Sequence, residues 1–224
     1  MKFILMLIIP FFLFGNNLEM ISKYLPSDPI VVEAGAHDGT DTWGMSRRWF
    51  KGQIHAFEPN PEVIGKLKRK IRHCKNVFLY QVALGDKVGY TDFYLSGTTN
   101  KTIPNPCDAQ SSLFPPSEEN WAWNHIVFDK SIKIPVITLD FWAKEQGITH
   151  IDFLWLDMQG SECQMLQASP NILQTVKVIK TEFSRKPFYE GTIIWEEYKK
   201  WLESLGFKCI YEDLGSHGDA ILVR

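Results

Sequence analysis

The sequence predicts an α/β fold, an open and mostly parallel sheet with helices on both faces and an antiparallel pair at its C-terminal edge. Three observations carry this. From Ile30 onward, short apolar runs bounded by turn residues alternate with helix-compatible segments, the pattern of strands buried on both faces and joined by crossover helices. Glu33, Glu58, Asp157 and Glu182 stand at the ends of four of those runs, and open α/β sheets bind ligands at the carboxyl ends of their strands. The 224 residues suffice for one such domain with a sizeable core and are too few for two comfortable ones.

The first strand covers Ile30 to Ala34 within I-V-V-E-A-G-A-H-D-G-T. Gly35 and Gly39 then bracket Ala36, His37 and Asp38 in a tight loop where small or missing side chains let a ligand approach the backbone. A helix follows from Asp41 toward Phe50, so the unit is strand, glycine loop, helix, with backbone N–H groups turned to the polar end of a nucleotide-like ligand. The spacing is E-x-G-x-x-x-G, neither the three-glycine dinucleotide turn nor a P-loop. The second strand is Gln53 to Phe57, and Glu58 follows Gly35 by 23 residues. There it is placed to accept hydrogen bonds from both hydroxyls of a ribose, each worth roughly 1.5–3 kcal/mol; alternatively it caps the next helix at Asn60-Pro61.

That helix, Glu62 to His73, has Pro61 at its start. Val63, Ile64, Leu67 and Ile71 form its inward stripe, leaving its five lysines and arginines as a solvated face. Val77 to Leu84 reads as the third strand and Gly89 to Leu95 as an added antiparallel one. An irregular insert spans about 96–131, with four prolines and with Trp121 and Trp123 near its far end beside His125. A stretch this long without periodicity is a functional loop or a disordered one, and its tryptophans can stack on a sugar or plug the loop onto the core. Lys133 to Ile137 is a strand, and Thr138 and Gly147 bracket the helix Leu139 to Gln146. The central strand is Ile151 to Leu156, and Gly160 and Ser161 open the next helix. Val176 to Phe183 is the fifth strand, Trp195 to Leu205 an amphipathic helix, and Phe207–Tyr211 with Asp219–Val223 the final antiparallel pair.

Five segments, E-A-G-A-H-D-G, H-A-F-E-P-N-P, Q-V-A-L-G-D, V-I-T-L-D and W-L-D-M-Q-G-S-E, occur in that order between about Val31 and Phe183. Together they resemble the FkbM-type S-adenosylmethionine-dependent methyltransferases, which implies a Rossmann-like class I methyltransferase fold with a seven-stranded sheet and S-adenosylmethionine as cofactor. The resemblance places Glu33, Gly35, Ala36, His37, Gly39, Glu58, Pro59, Val82, Ala83 and Asp157 around the cofactor, with Val82, Ala83 and Leu84 toward its adenine. Ser111 and Ser112 fall where related enzymes often carry a short segment near the cofactor. Four acidic strand ends suit a ligand bearing a sulfonium, an ammonium and a ribose diol. Candidate bases near the methyl group are Asp157, His37, Glu182 and His125; the alternative role for His37 is to bond the cofactor's carboxylate, and for Asp157 to orient the methionine end or a substrate hydroxyl. Two positions depart from the commonest family pattern, Trp155 where a lysine is usual and Gln159 where a glutamate is usual.

The expected reaction is O-methylation of a hydroxyl on a small molecule or glycan unit. A nicotinamide-dependent oxidoreductase and a non-catalytic, membrane-tethered nucleoside- or glycan-binding module are the alternatives. A net charge of −2 and a pI near 6.3 give no sign of nucleic acid as a bulk electrostatic partner. Four scattered cysteines lack zinc-ligand spacing and read as reduced thiols, with no metal expected. The first 20 residues are a hydrophobic segment ahead of a domain covering 21–224, and Phe3 to Phe14 is uncharged. Twelve such residues fall short of the roughly 20 that span a bilayer. They read as a signal-peptide core, as a membrane-associating stretch, or as a start placed ahead of Met20. S-adenosylmethionine is made in the cytosol, which points to the cytoplasm or the cytoplasmic membrane face, with secretion through this segment as the competing reading.

Overall fold

Strand order in the main sheet follows from where apolar runs can be buried on both faces. The computed structural model describes residues 17–99, 107–118 and 125–224. Its seven-stranded sheet runs β3-β2-β1-β7-β8-β10-β9. The strands are β1 (Ile30–Ala34), β2 (Gln53–Phe57), β3 (Val77–Tyr80), β7 (Phe153–Leu156), β8 (Val178–Ser184), β9 (Lys208–Glu212) and β10 (His217–Val223). The first five are mutually parallel; β10 runs antiparallel to both β8 and β9. The order reverses between β1 and β7, and the chain therefore leaves a crevice at their carboxyl ends.

Period-two alternation divides β1 between two cores. Val31 joins Ile54, Phe153 and Trp155 in a cluster closed by Leu18 and Ile21, from the helical residues 17–22, and by Met45 and Trp49. Val32 and Ala34 face the larger cluster on the other side. Helices α1 (Thr40–Arg48) and α2 (Ile64–Ile71) cover the first face. The second is covered by α3 (Leu139–Gln146), α4 (Glu162–Gln167), α5 (Pro170–Leu173) and α6 (Trp195–Ser204). The ends of α3 match the sequence expectation: Thr138 accepts the Phe141 N–H at 3.1 Å, and Gly147 sits left-handed at φ 66°.

The third strand differs from its expected course. The run expected from Val77 to Leu84 leaves the main sheet after Tyr80, and Ala83–Leu84 becomes β4 in a second sheet, ordered β4-β6-β5. There β4 pairs in parallel with β6 (Ile126–Ile137), and β5 (Gly89–Thr98) pairs antiparallel with it. Both are longer than their sequence estimates, so the margins of the supposed insert are strand. Trp121 and Trp123 lie outside the described residues, as do residues 1–16. Among the described residues no helix is long and apolar enough to cross a membrane.

Candidate functional site

Gly35 organises the crevice. Its φ is 90°, and a Cβ there would stand 1.8 Å from the Asp157 carbonyl oxygen. Only a residue without a side chain lets the exit of β1 lie against the exit of β7. The space that sequence reasoning reserved for a ligand is thus occupied by the protein's own backbone. The Gly35 and Ala36 N–H groups both donate to the Phe57 carbonyl at 3.0 Å, tying the loop to the end of β2. His37 is left-handed at φ 44°, and its N–H donates to Glu58 Oε2 at 2.7 Å. The other carboxylate oxygen accepts the Asn60 N–H at 2.7 Å. Glu58 therefore both caps the following turn and lines the cavity. Burial pushes its carboxyl up to about 7 against the pull of these two bonds.

The cavity holds about 170 Å³. Its floor is Ala34 to Asp38 with Thr40 and Asp41, the end of β2 with Glu58 and Pro59, and Asp157 to Gln159 with Ser161 after β7. The second sheet roofs it through Ala83, Leu84 and Phe93, continued by a 3₁₀ turn (Asp108–Gln110), Ser111 and Leu113. Asp108 clasps roof to floor: its carboxylate meets His37 Nε2 at 2.8 Å and Lys66 Nζ at 2.6 Å. Burial works against its charge, but the bonds from Lys66 and His37 outweigh it and hold the carboxyl below its ordinary value.

Of the residues singled out in the sequence, Gly35, Ala36, His37, Glu58, Pro59, Ala83, Leu84, Ser111 and Asp157 line this cavity. Glu33, Gly39 and Val82 do not. Glu33 alternates onto the α1 face of the sheet, where it is 1% exposed and accepts the Thr42 hydroxyl at 2.6 Å. Burial raises its carboxyl well above the ordinary value. Gly39 is instead the close-approach point of α2, since a Cβ there would meet Leu67 at 3.2 Å. Val82 falls in the break between β3 and β4 and packs against the larger core. His125 is exposed ahead of β6 and is not among the lining residues. Ser112 is buried and donates to the Gln159 carbonyl at 2.8 Å.

Glu182 lines a smaller neighbouring pocket with Gly160 and Glu162, and its link to the cavity is Gln159. The Gln159 amide nitrogen donates to Asp157 Oδ1 and to Glu182 Oε2, each at 2.7 Å, and its oxygen accepts the Tyr189 hydroxyl at 2.9 Å. His217 Nε2 contacts the other Glu182 oxygen at 2.9 Å. Burial first, and then the Asp157 charge, push the Glu182 carboxyl up to about 8. The four acidic strand ends are thus each partnered. Trp155 is partnered too: the Lys180 ammonium, one strand along, lies 4.2 Å from the centre of its ring and 2.6 Å from Asp219.

Sequence reasoning missed Asp41, Asp108 and the bridging role of Gln159. Asp41, pushed up to about 6 by burial, carried a signal as the acid opening α1. Asp108 carried none, being 71 residues from His37 in the chain. Among the described residues the lining bears Asp38, Asp41, Glu58, Asp108 and Asp157 and no lysine or arginine. Such a cavity suits a cationic ligand, and a carboxylate already fixed by two N–H groups keeps lone pairs for hydroxyl donors. The residues present therefore fit S-adenosylmethionine.

Comparisons with known proteins agree. The model of the methyltransferase FkbM domain matches residues 33–209. The 2-O-methyltransferase NoeI of Sinorhizobium fredii (strain NBRC 101917 / NGR234) is 27% identical over 175 residues, covering 78% of this chain and 71% of that protein. The methyltransferase sdnD of Sordaria araneosa is 26% identical over 169 residues, covering 64% of this chain and 61% of that protein. Among solved structures, the Methanococcus jannaschii fibrillarin pre-rRNA processing protein aligns with TM-score 0.52 at 13% identity, covering 89% of this chain and 68% of that one. The magnesium protoporphyrin IX methyltransferase of Synechocystis PCC 6803, with bound S-adenosylmethionine, aligns with TM-score 0.51 at 10% identity, covering 94% and 77%. These two likenesses are of fold. The chain belongs to the FkbM methyltransferase family, a Rossmann-like class I enzyme whose methyl donor is S-adenosylmethionine.

Proposed function

We propose that the crevice holds the donor between the Gly35 loop and Glu58 and methylates a hydroxyl of a small molecule or glycan beside Asp157. The observation that carries this is the Gly35–Asp157 contact, which brings the ribose-binding carboxylate and the candidate acceptor-side carboxylate to one cavity. The donor supplies an activated methyl group on a good leaving group, so alignment and exclusion of water can contribute about 7–11 kcal/mol. Glu58 accepts from the ribose, while the His37 and Asn60 N–H groups fix its position. Asp157 orients the acceptor hydroxyl or takes its proton, a role worth about 10²–10⁴ in rate. His37, whose ring is engaged by Asp108, shapes the floor. Glu182 acts through Gln159 as a positioning group and not as the base itself.

The acid lining favours a neutral or cationic acceptor over nucleic acid, and the 2-O-methyltransferase relative points the same way. The family assignment displaces both the oxidoreductase and the non-catalytic alternatives. The uncharged run Phe3–Phe14 supports association with the cytoplasmic face of a membrane. Isothermal titration with S-adenosylhomocysteine tests the donor site; no heat at about millimolar ligand, with a folded protein, overturns the reading. Labelled-methyl transfer to a panel of neutral polyols and oligosaccharides tests the acceptor class, and transfer confined to anionic acceptors would overturn that part.

A further inference from the structure

Far from the cavity, the lower end of the sheet presents a surface of another kind. α1 starts at the cavity rim with Thr40 and Asp41 and descends toward the start of β2. Thr42, Met45 and Ser46 are buried beneath it, with Trp49 just beyond. Its outer side carries Arg47 and Arg48, followed by Phe50 and Lys51, all exposed, with Phe50 at 71%. The Lys51 ammonium lies 5.8 Å from the centre of the Phe50 ring. The Gln53 N–H donates to the Pro29 carbonyl at 2.9 Å, and Ile21 and Leu25 pack into the cluster of Met45, Trp49 and Ile54, with Lys23 and Tyr24 exposed between them, the latter at 46%.

Single exposed aromatics are ordinary, but these stand beside cations at the point where the chain's apolar run joins the fold. Residues 17–22 bury Leu18 and Ile21 in the same cluster as Met45 and Trp49. The uncharged stretch Phe3–Phe14 immediately precedes them in the sequence. Aromatic rings at the headgroup level, lysine and arginine around them, and an apolar run too short to span are the features of a surface-seated protein.

We infer that this end of the molecule is a docking face for an anionic membrane: Phe50 and Tyr24 enter the headgroup layer, and Lys23, Arg47, Arg48 and Lys51 meet the lipid charge. The inference extends the membrane association proposed for residues 3–14 to the folded body. It also sets the cavity, at the opposite ends of the strands, toward the aqueous side.

Co-sedimentation of the full chain with vesicles of phosphatidylcholine alone, and of phosphatidylcholine with phosphatidylserine, tests it. The wild type is expected to prefer the anionic vesicles and to lose that preference at high salt. Phe50→Ser with Arg47→Glu and Lys51→Glu is expected to weaken anionic binding by about 30-fold or more, at about fivefold for each cation removed. S-adenosylhomocysteine affinity should stay unchanged, since none of the three lines the cavity. If the variant binds as the wild type does, the apolar run acts alone and the docking face is refuted. Absence of binding by either protein overturns both membrane readings. A wild type whose molar mass by light scattering is twice the variant's would make this face a contact between copies, and would likewise overturn the inference.

Discussion

With the ribose at Glu58, as proposed, donor binding is sensitive to pH in a calculable way. The Glu58 carboxyl, pushed up to about 7 by burial, is about half protonated near neutrality before the donor arrives. Ribose hydroxyls are donors and need the carboxylate, so binding expels the remaining proton. For a single group at about 7, affinity rises about tenfold between pH 6 and pH 8, most of it below pH 7. Glu58→Gln removes the titration. It also turns an amide NH₂ toward one of the two fixed N–H donors, from His37 or Asn60, a mismatch costing about 1–3 kcal/mol. The expected result is weaker binding at every pH with the slope removed. Isothermal titration of S-adenosylhomocysteine, repeated in two buffers of different ionisation enthalpy, reads both the affinity and the proton released. A wild type with no slope and no proton release refutes the reasoning, and so does a glutamine variant that keeps the slope.

Other expectations concern the frame around the cavity. Gly35→Ala forces a Cβ into the Asp157 carbonyl at a left-handed φ; stability by urea unfolding should fall by about 2–5 kcal/mol, and a loss under about 0.5 kcal/mol would contradict the close contact. Thr42→Val leaves the buried Glu33 without its hydroxyl donor. It should lower stability by about 1–3 kcal/mol while donor affinity holds, whereas a large affinity loss would restore Glu33 to the donor site. Gln159→Leu removes both amide bridges. Methyl transfer should slow by up to about 100-fold, and an unaltered rate would remove Gln159 from the positioning of Asp157. Without ligand, the folded protein binds more protons than the unfolded chain above the ordinary carboxylate range, because Glu58, Glu162 and Glu182 are raised to about 7, 7 and 8. Stability should therefore fall as pH rises from about 4.5 to 8, and a urea midpoint that climbs over this range would refute it.

Where local chemistry decides structure, the sequence was readable. The apolar runs of β1 and β2 end at turn residues, and their bounds come out as Ile30–Ala34 and Gln53–Phe57. Thr138 and Gly147 announce α3 because caps are local devices. The break after Tyr80 was not readable, since V-F-L-Y-Q-V-A-L stays apolar or β-compatible throughout. The strand is cut by a change of hydrogen-bond partner, from β2 to β6. The side of the sheet on which Glu33 falls could have been read from alternation: Val32 and Ala34 face one core, so Glu33 must face the other. The Gln159 bridge depends on a left-handed φ of 55° and on neighbours 23 and 30 residues away, and nothing near it in the sequence discloses that.

The roof and the floor of the cavity belong to different sheets that share no strand, joined across the gap by the Asp108 clasp and the Ser112 bond to Gln159. Among the described residues no strand pairing links β5 or β6 to β1, β2 or β7, so the register of those three strands does not depend on the roof. The ceiling, through Ala83, Leu84 and Phe93, thus sets the room above the cavity while the main sheet holds its floor, two layers open to change one at a time.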